Sequence, residues 1–471
     1  MLGYAAIILA LGFSTFLGYG VLRGTVGKRP GVLSSAEWVG YSFSLGLGIT
    51  AAAMVLLTTL RIRFTLQAIL WTAVVPIGFL VYGRLGRPGG GSDEVGPSSS
   101  HEFVSPRLLP VALLLAVLGV AVFTVFFGSF LEPISEVDTL AAWAFHAKVF
   151  YYEGTALPSY LTCGASGEQM SHWPPFYPLL QTWNHIAMGT YDDYKIKLLP
   201  VVIYLMLLVT VWGILGRHLS RAYALSLLVV LATLPALVVP FPGGSVASAY
   251  ADLPVALLMV AALGMMLRWV EAKHVRWLVL AGVLSAFAIW TKREGNAFAL
   301  AATLGVWLVW ALGGRKSRAR ILGPASFTAI CSAGFGLIVL YNSRFAGPAL
   351  PEGLGTSSTP VADIAANLLL GMKYTLIESL NPSRWGFMWI LLAAFMVLRW
   401  KKLALPEIGL PLFIMALQTA GALVFMAASG VSMERHASLN LRRVLIQLAP
   451  MATVALAYLS TVSDRRLSTD S

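Results

Sequence analysis

The chain has 471 residues, of which 58% are hydrophobic and only 11% charged, and its mean hydropathy is +0.77. That balance excludes an ordinary soluble globular domain and makes lipid the natural solvent. The net charge of +12 does not signal nucleic acid binding, because Lys and Arg fall in short clusters between apolar runs and form no continuous basic face. Apolar windows of about twenty residues, each able to cross a ~30 Å hydrocarbon core as a helix, recur along the chain without the alternation of a β-barrel.

Taken in chain order, the apolar runs cover 2–22, 37–60, 64–82, 108–130, 198–216, 222–240, 253–269, 277–291, 296–312, 321–341, 385–398, 405–428 and 443–461. They predict an all-α polytopic membrane protein with about thirteen transmembrane helices. The first run lacks a basic leading segment and a cleavage site, so it reads as a retained helix. Cys163 and Cys331 are the only cysteines, and the second lies in an apolar run, so no disulfide framework is available.

Composition divides the chain further. Residues 1–83 carry three leading helices, and 84–107, containing GRPGGGSDEVGPSSS, read as a flexible cytoplasmic linker. Residues 108–462 form the core, with a long polar excursion over 131–197, and 463–471 form a cytoplasmic tail. Placing that loop outside the cytoplasm puts Arg217/Arg221, Arg268/Lys273/Arg276, Arg315/Lys316/Arg318/Arg320, Arg399/Lys401/Lys402 and Arg465/Arg466 on the cytoplasmic side. Arg61 and Arg63 then break the rule in a tight outer turn. So do Lys292/Arg293 and Arg435/Arg442/Arg443, which either snorkel to headgroups or meet an anionic ligand at the outer interface.

The outer loop opens with LEPISEVDTLAAWAFHAKVFYYEG, which holds Glu132, Glu136 and Asp138 at the bilayer surface. From Thr139 onward, Leu140, Trp143, Ala144, Ala147 and Tyr151 recur at helical spacing and predict an amphipathic helix along the interface, with His146 and Lys148 in the same stretch. Asp138 stands at its start, as an N-cap or as a catalytic base. Later, SHWPPFYPLLQTWNH packs His172, Trp173, Tyr177 and Trp183 among prolines, either as a membrane-belt cluster or as a wall that shapes a substrate. Asp252 sits at the outer entrance of a helix, where it complements the positive helix end. Glu294 offers Lys292 and Arg293 an internal ion pair, and Arg442 or Arg443 has the geometry to grip a phosphate, beside His436 and Arg435. No Walker A, GxGxxG, HExxH or Cys/His zinc spacing is present.

In their order, EVDTLAAWAFHAKVFYYEG, HWPPFYPLL, SAYADLP, TKREGNAF and SLNLRRVLIQLAP resemble the GT-C class of polytopic glycosyltransferases, especially bacterial members of the protein mannosyltransferase and lipid A aminoarabinose transferase superfamily. The resemblance covers roughly residues 107–462. It implies a GT-C-like core whose first large outer loop supplies a catalytic Asp at the place of Asp138. It also implies inverting transfer of a sugar from a polyprenyl-phosphate carrier to a hydroxyl of a lipid, polysaccharide or protein, on the periplasmic side of a bacterial inner membrane.

On this reading Lys292, Arg293, Arg435, His436, Arg442 and Arg443 hold the donor phosphate. Glu136, Trp143, His146, Lys148, His172, Trp173, Tyr177 and Asp252 shape the substrate. No metal ligand set is assigned, although Glu136 and Asp138 could offer oxygens to a divalent cation. A transporter or flippase of the same lipid-linked sugar is the alternative. It would call for ionisable residues deep within helices, whereas nearly all charges here lie at predicted ends.

Overall fold

The computed structural model describes residues 2–27, 32–74, 77–78, 108–136, 138–157, 173–239, 244–313, 321–345, 361–429 and 432–461. His172, the 84–107 linker and the 463–471 tail lie outside the described residues. Every regular element among the described residues is helical, as an all-α polytopic membrane protein requires. Sixteen of these helices are numbered below and shorter turns are left unnumbered.

The chain begins with α1 (Leu2–Val26), α2 (Ser35–Thr59) and the short α3 (Leu66–Leu70). After them come α4 (Leu108–Leu131), the loop helix α5 (Phe145–Glu153) and α6 (Phe176–Met188). The core continues with α7 (Leu198–Leu215), α8 (Arg221–Ala232), α9 (Asp252–Ala272), α10 (Val275–Thr291), α11 (Glu294–Leu312) and α12 (Leu322–Phe345). It ends with α13 (Val361–Ser379), α14 (Met388–Leu398), α15 (Pro406–Ala428) and α16 (Arg442–Thr461). Among the described residues nine helices are long and apolar enough to cross a membrane, and α8, α10 and α14 are shorter apolar helices.

One apolar run is only partly described, and one helix departs from the apolar-run reading for a local cause. The described part of the 64–82 run is helical over Leu66–Leu70, tightens into a turn over Trp71–Ala73 and is helical again at 74 and 77–78. Conversely, α13 was not marked by any run, because Asp363, Asn367, Lys373 and Glu378 interrupt its apolar residues. Its exposed Leu369, Met372 and Leu376 follow helical spacing on one face, while Asn367 Nδ2 donates to the Ala427 carbonyl at the end of α15 at 3.3 Å.

The centre of the bundle is α9, whose apolar stretch is buried and which packs against α7, α10 and α16. Helix α4 is the opposite case: Leu109, Leu113, Val120, Phe123 and Phe127 are exposed, so this helix presents its apolar surface to lipid. The leading pair, α1 and α2, packs against α6 and α7. Small residues permit this closeness, since a Cβ on Gly18 or Gly46 would collide with the facing helix backbone.

At the end of the bundle away from the 131–197 loop, α2 begins in a capping box in which Ser34 and Glu37 satisfy each other's backbone N–H groups at 2.9 and 3.2 Å. The buried Glu37 carboxylate also receives Nε and Nη2 of Arg268 on α9, at 3.2 and 2.6 Å. Arg217 lies 3.8 Å from it and is paired with Glu271. A carboxylate and a forked guanidinium, both withdrawn from water, thus tie α2 to the central helix.

Candidate active site

At the loop end of the bundle, Asp138 stands at the head of a helical stretch that begins as a π-turn, Thr139–Ala144, and continues as α5. The wide turn inserts one residue relative to an α-helix. Trp143, Ala144 and Ala147 of the expected apolar face are therefore buried, but Leu140, one turn earlier, is rotated outward. Asp138 does not cap this helix: its side chain accepts no bond from the first turn. It instead accepts a hydrogen bond from Nη1 of Arg443, the second residue of α16, at 2.7 Å.

Arg443 is the hub. Its Nε donates to Asp252 Oδ2 at 3.0 Å, and its guanidinium carbon lies 4.5 Å from the centre of the Tyr250 ring, a cation–π distance. Asp252, fully buried at the first turn of α9, also accepts from Lys292 Nζ at 2.6 Å and from Gln447 Nε2 at 2.5 Å. Gln447 lies one helical turn after Arg443 on α16, so both project to the same face. Lys292 completes its pairing with Glu294 at 2.8 Å. Two buried cations are thus shared among Asp138, Asp252 and Glu294, and Asp138, about half exposed, is the accessible member.

Nearby groups tune the entrance. Burial, and then the neighbouring Asp138 charge, push the Glu136 carboxyl above its usual range against the opposing hydrogen bond with Tyr250. Burial and Asp138 likewise push the Tyr250 phenol up. Thr139 Oγ1 donates to the Ser248 carbonyl at 2.7 Å, which fixes the Asp138 end of the loop helix to the segment preceding α9.

The structure separates the residues expected to act with Asp138. Arg443 meets it directly, Asp252 through Arg443, and Lys292 through Asp252 and Arg443 in turn. Arg442, the neighbour of Arg443, points away to Glu378, 3.8 Å from its Nε, where Glu378 also receives Arg384 Nη1 at 2.5 Å and Trp385 Nε1 at 3.3 Å. Successive residues of a helix project about 100° apart, which is why adjacent arginines reach different carboxylates.

His436 engages Ser429 and Asn440 through its two ring nitrogens at 2.6 and 2.8 Å, and Arg435 is exposed. Arg293 lies over the Trp173 ring at 5.6 Å, and Lys148 over Tyr191 at 5.3 Å. Trp143 packs edge-on against Trp173 and Tyr177, and His146 stacks on Phe150; Trp143, Tyr177 and His146 are buried, so these side chains hold the loop together from within.

Among the described residues no three His, Cys, Asp or Glu side chains gather as a metal cage; Glu136 hydrogen-bonds with Tyr250, and Asp138 accepts from Arg443 at Oδ2. Sequence reasoning did not find Tyr250 or Gln447. The signals were present, since Tyr250 lies two residues before Asp252 and Gln447 four after Arg443, but neither residue carries a charge.

The loop also contains a buried imidazole. His185 on α6 is packed against the rings of Tyr191 and Tyr151, and burial lowers its pKa to about 4. The folded protein therefore keeps His185 neutral, whereas the unfolded chain binds a proton near the ordinary value of ~6.5. Stability from this group is present above pH ~6.5 and is lost as pH falls toward about 4, by up to roughly 3 kcal/mol. Unfolding temperatures in detergent should therefore fall between pH 7.5 and 5, and His185→Asn should flatten that part of the profile; an equally steep profile in the variant would assign the effect to other groups.

With this geometry in place, comparison with known proteins adds one finding. Residues 172–337 match the family model of dolichyl-phosphate-mannose-protein mannosyltransferase. The matched segment includes Tyr250, Asp252 and Lys292, whereas Asp138 and Arg443 flank it in sequence and join it in space. No curated protein matches the chain. Together with its helical, membrane-crossing architecture, this match over about a third of the chain supports a membrane glycosyltransferase of the GT-C class, similar to a family that uses a polyprenyl-phosphate-linked sugar.

Proposed function

We propose that the chain transfers the sugar to a hydroxyl acceptor with inversion, that Asp138 is the general base, and that Arg443, assisted by Lys292, receives the leaving phosphate. The observation that carries this reading is the half-exposed Asp138 carboxylate 2.7 Å from a buried guanidinium that is itself braced by Asp252 and Tyr250. Phosphate leaves readily once its charge is stabilised, so the protein's main tasks are to position the acceptor and remove its proton.

In the step itself, the acceptor oxygen forms a bond to the anomeric carbon while its proton passes to Asp138. The bond from that carbon to the phosphate oxygen breaks, and its electron pair leaves with the phosphate. Protonation cancels the charge on Asp138 just as negative charge appears on the leaving group. Arg443 can then exchange one anion for the other without moving. Its Nη2, a buried donor with no partner among the described residues, supplies the second prong of a forked contact.

Orientation follows from the basic clusters at the far end of the bundle: the loop faces the non-cytoplasmic side, in a bacterial plasma membrane on the family resemblance. The 84–107 linker and the 463–471 tail then lie in the cytoplasm. The acceptor is a lipid, polysaccharide or protein hydroxyl.

The test is transfer from a polyprenyl-phosphate sugar by purified protein, wild type against Arg443→Ala. The variant should lose about 2 to 4 kcal/mol of transition-state stabilisation and show a raised donor KM. An unchanged donor titration would remove Arg443 from the phosphate, and carrier translocation without product would mark a transporter.

A further inference from the structure

We propose that the turn joining α2 to α3 is a positioning element for the loop that carries Asp138, with Thr58 and Arg63 as its contact residues. The turn is built under strain. Ile62 N donates to the Leu57 carbonyl at 2.8 Å and Arg61 N to the Thr58 carbonyl at 3.0 Å, a helix ending that places Arg61 in the left-handed region at φ 57°. Glycine usually occupies that position, and a residue with a Cβ costs on the order of 1–2 kcal/mol there. Such strain persists where surrounding contacts over-determine the backbone, and those contacts are visible.

Three hydrogen bonds run from this turn to the far end of the loop helix. Phe64 N donates to the Gly154 carbonyl at 2.7 Å, Arg63 Nη2 to the Tyr152 carbonyl at 3.2 Å, and Ala156 N to Thr58 Oγ1 at 3.1 Å. Gly154 closes α5 at φ 69°, and a Cβ there would run into the Arg63 side chain, so the arginine stem lies directly across the helix end. Residues 138–153 form one continuous helical body, and this end lies roughly 20 Å from Asp138 along it.

The Asp138 end is fixed by Ser248 and Arg443, and the middle by Thr182 Oγ1 donating to the Ala147 carbonyl at 3.2 Å. Besides the α2–α3 turn, the tail is held by the Tyr341 Oη bond to the Ala156 carbonyl at 2.8 Å and by ring contacts of Tyr151 with His185 and of Tyr152 with Tyr191, and the turn supplies three of its backbone hydrogen bonds. Because Glu37 anchors the other end of α2 to Arg268 on α9, α2 is a strut between the helix that begins with Asp252 and the helix headed by Asp138. The arginines that break the charge pattern in this turn thereby acquire a use: Arg63 spends its guanidinium on the loop backbone.

The catalytic consequence rests on the transferase reading above, while the contact itself does not, and the experiment separates the two. Thr58→Val and Arg63→Ala should each raise amide hydrogen exchange over residues 152–156, with exchange in α9 and α16 unchanged. They should lower kcat for sugar transfer about tenfold or more and leave donor KM within about twofold, because a small misplacement of a reacting group costs rate rather than ground-state binding. Thr58→Ser restores the acceptor and should recover both readouts. Unchanged exchange over 152–156, or raised exchange with wild-type kcat, would overturn the proposal. So would exchange that rises equally in α9, which would make the turn a general stability element. If the wild-type protein proved inactive in transfer, the exchange arm would still decide whether the turn holds the loop.

Discussion

Asp138→Asn is expected to lower transfer by roughly 10²–10⁴-fold, the usual contribution of a positioned general base, while donor KM stays close to that of the wild type. Asparagine keeps the shape and an oxygen that can accept from Arg443 Nη1, so the helical body from Thr139 to Glu153 should remain in place. What disappears is the capacity to take the acceptor's proton. Initial rates over a donor series, with an unfolding curve for the same preparation, separate lost chemistry from lost structure. A variant that transfers at near wild-type rate would remove Asp138 from the role of base.

Asp252→Ala is expected to cost about 3 to 5 kcal/mol of stability, because it leaves charged partners buried without the carboxylate they share. Arg443 would retain Asp138 and Lys292 would retain Glu294, which puts the loss toward the lower end of that range. Gln447 would also lose the acceptor of its 2.5 Å hydrogen bond inside the bundle. Asp252→Asn should be milder, since it preserves acceptors while removing the charge. Apparent unfolding temperatures in detergent for the three proteins give the ranking, and an alanine variant that unfolds with the wild type would show the pair network to be energetically idle. Combining Asp252→Asn with Lys292→Met in a double-mutant cycle would isolate the pairwise part.

Much of the helical framework was legible because a spanning helix must satisfy its backbone internally and face lipid, which leaves long apolar runs. Where those pressures relax, the runs fail. Helix α13 combines exposed Leu369 and Leu376 with Asp363 and Glu378, so it reads as broken although it is continuous. A helix follows Asp138 as expected, but its π-turn shifts Leu140 outward, and no periodicity argument anticipates one inserted residue.

The site was legible in part for a similar reason. Asp138, Lys292 and Arg443 stand out as charges at membrane-helix ends, whereas the difference between Arg442 and Arg443 depends on which helix faces each. Asp138 and Arg443 lie 305 positions apart, and Asp252 and Gln447 lie 195 apart, so these pairs exist only once the helices have packed. Asp252 sits at a helix start, as a cap would, yet all its visible partners are side chains from α16 and Lys292, which makes it the keeper of two cations.

The buried position of Asp252 also has a consequence for biogenesis. Its lysine partner lies 40 positions downstream, but its arginine partner arrives 191 positions later, on α16. At about 5 to 20 residues per second, a ribosome takes roughly 10 to 40 s to cover that interval. For the first 40 residues of it the central helix carries an unmatched carboxylate, thereafter one matched by lysine alone, and the groove that α16 will fill lies open to lipid or to neighbouring chains. The cluster that joins Asp138 and Asp252 through Arg443 is therefore among the last features of the bundle to form, and an interruption of synthesis before α16 leaves a largely inserted protein without it.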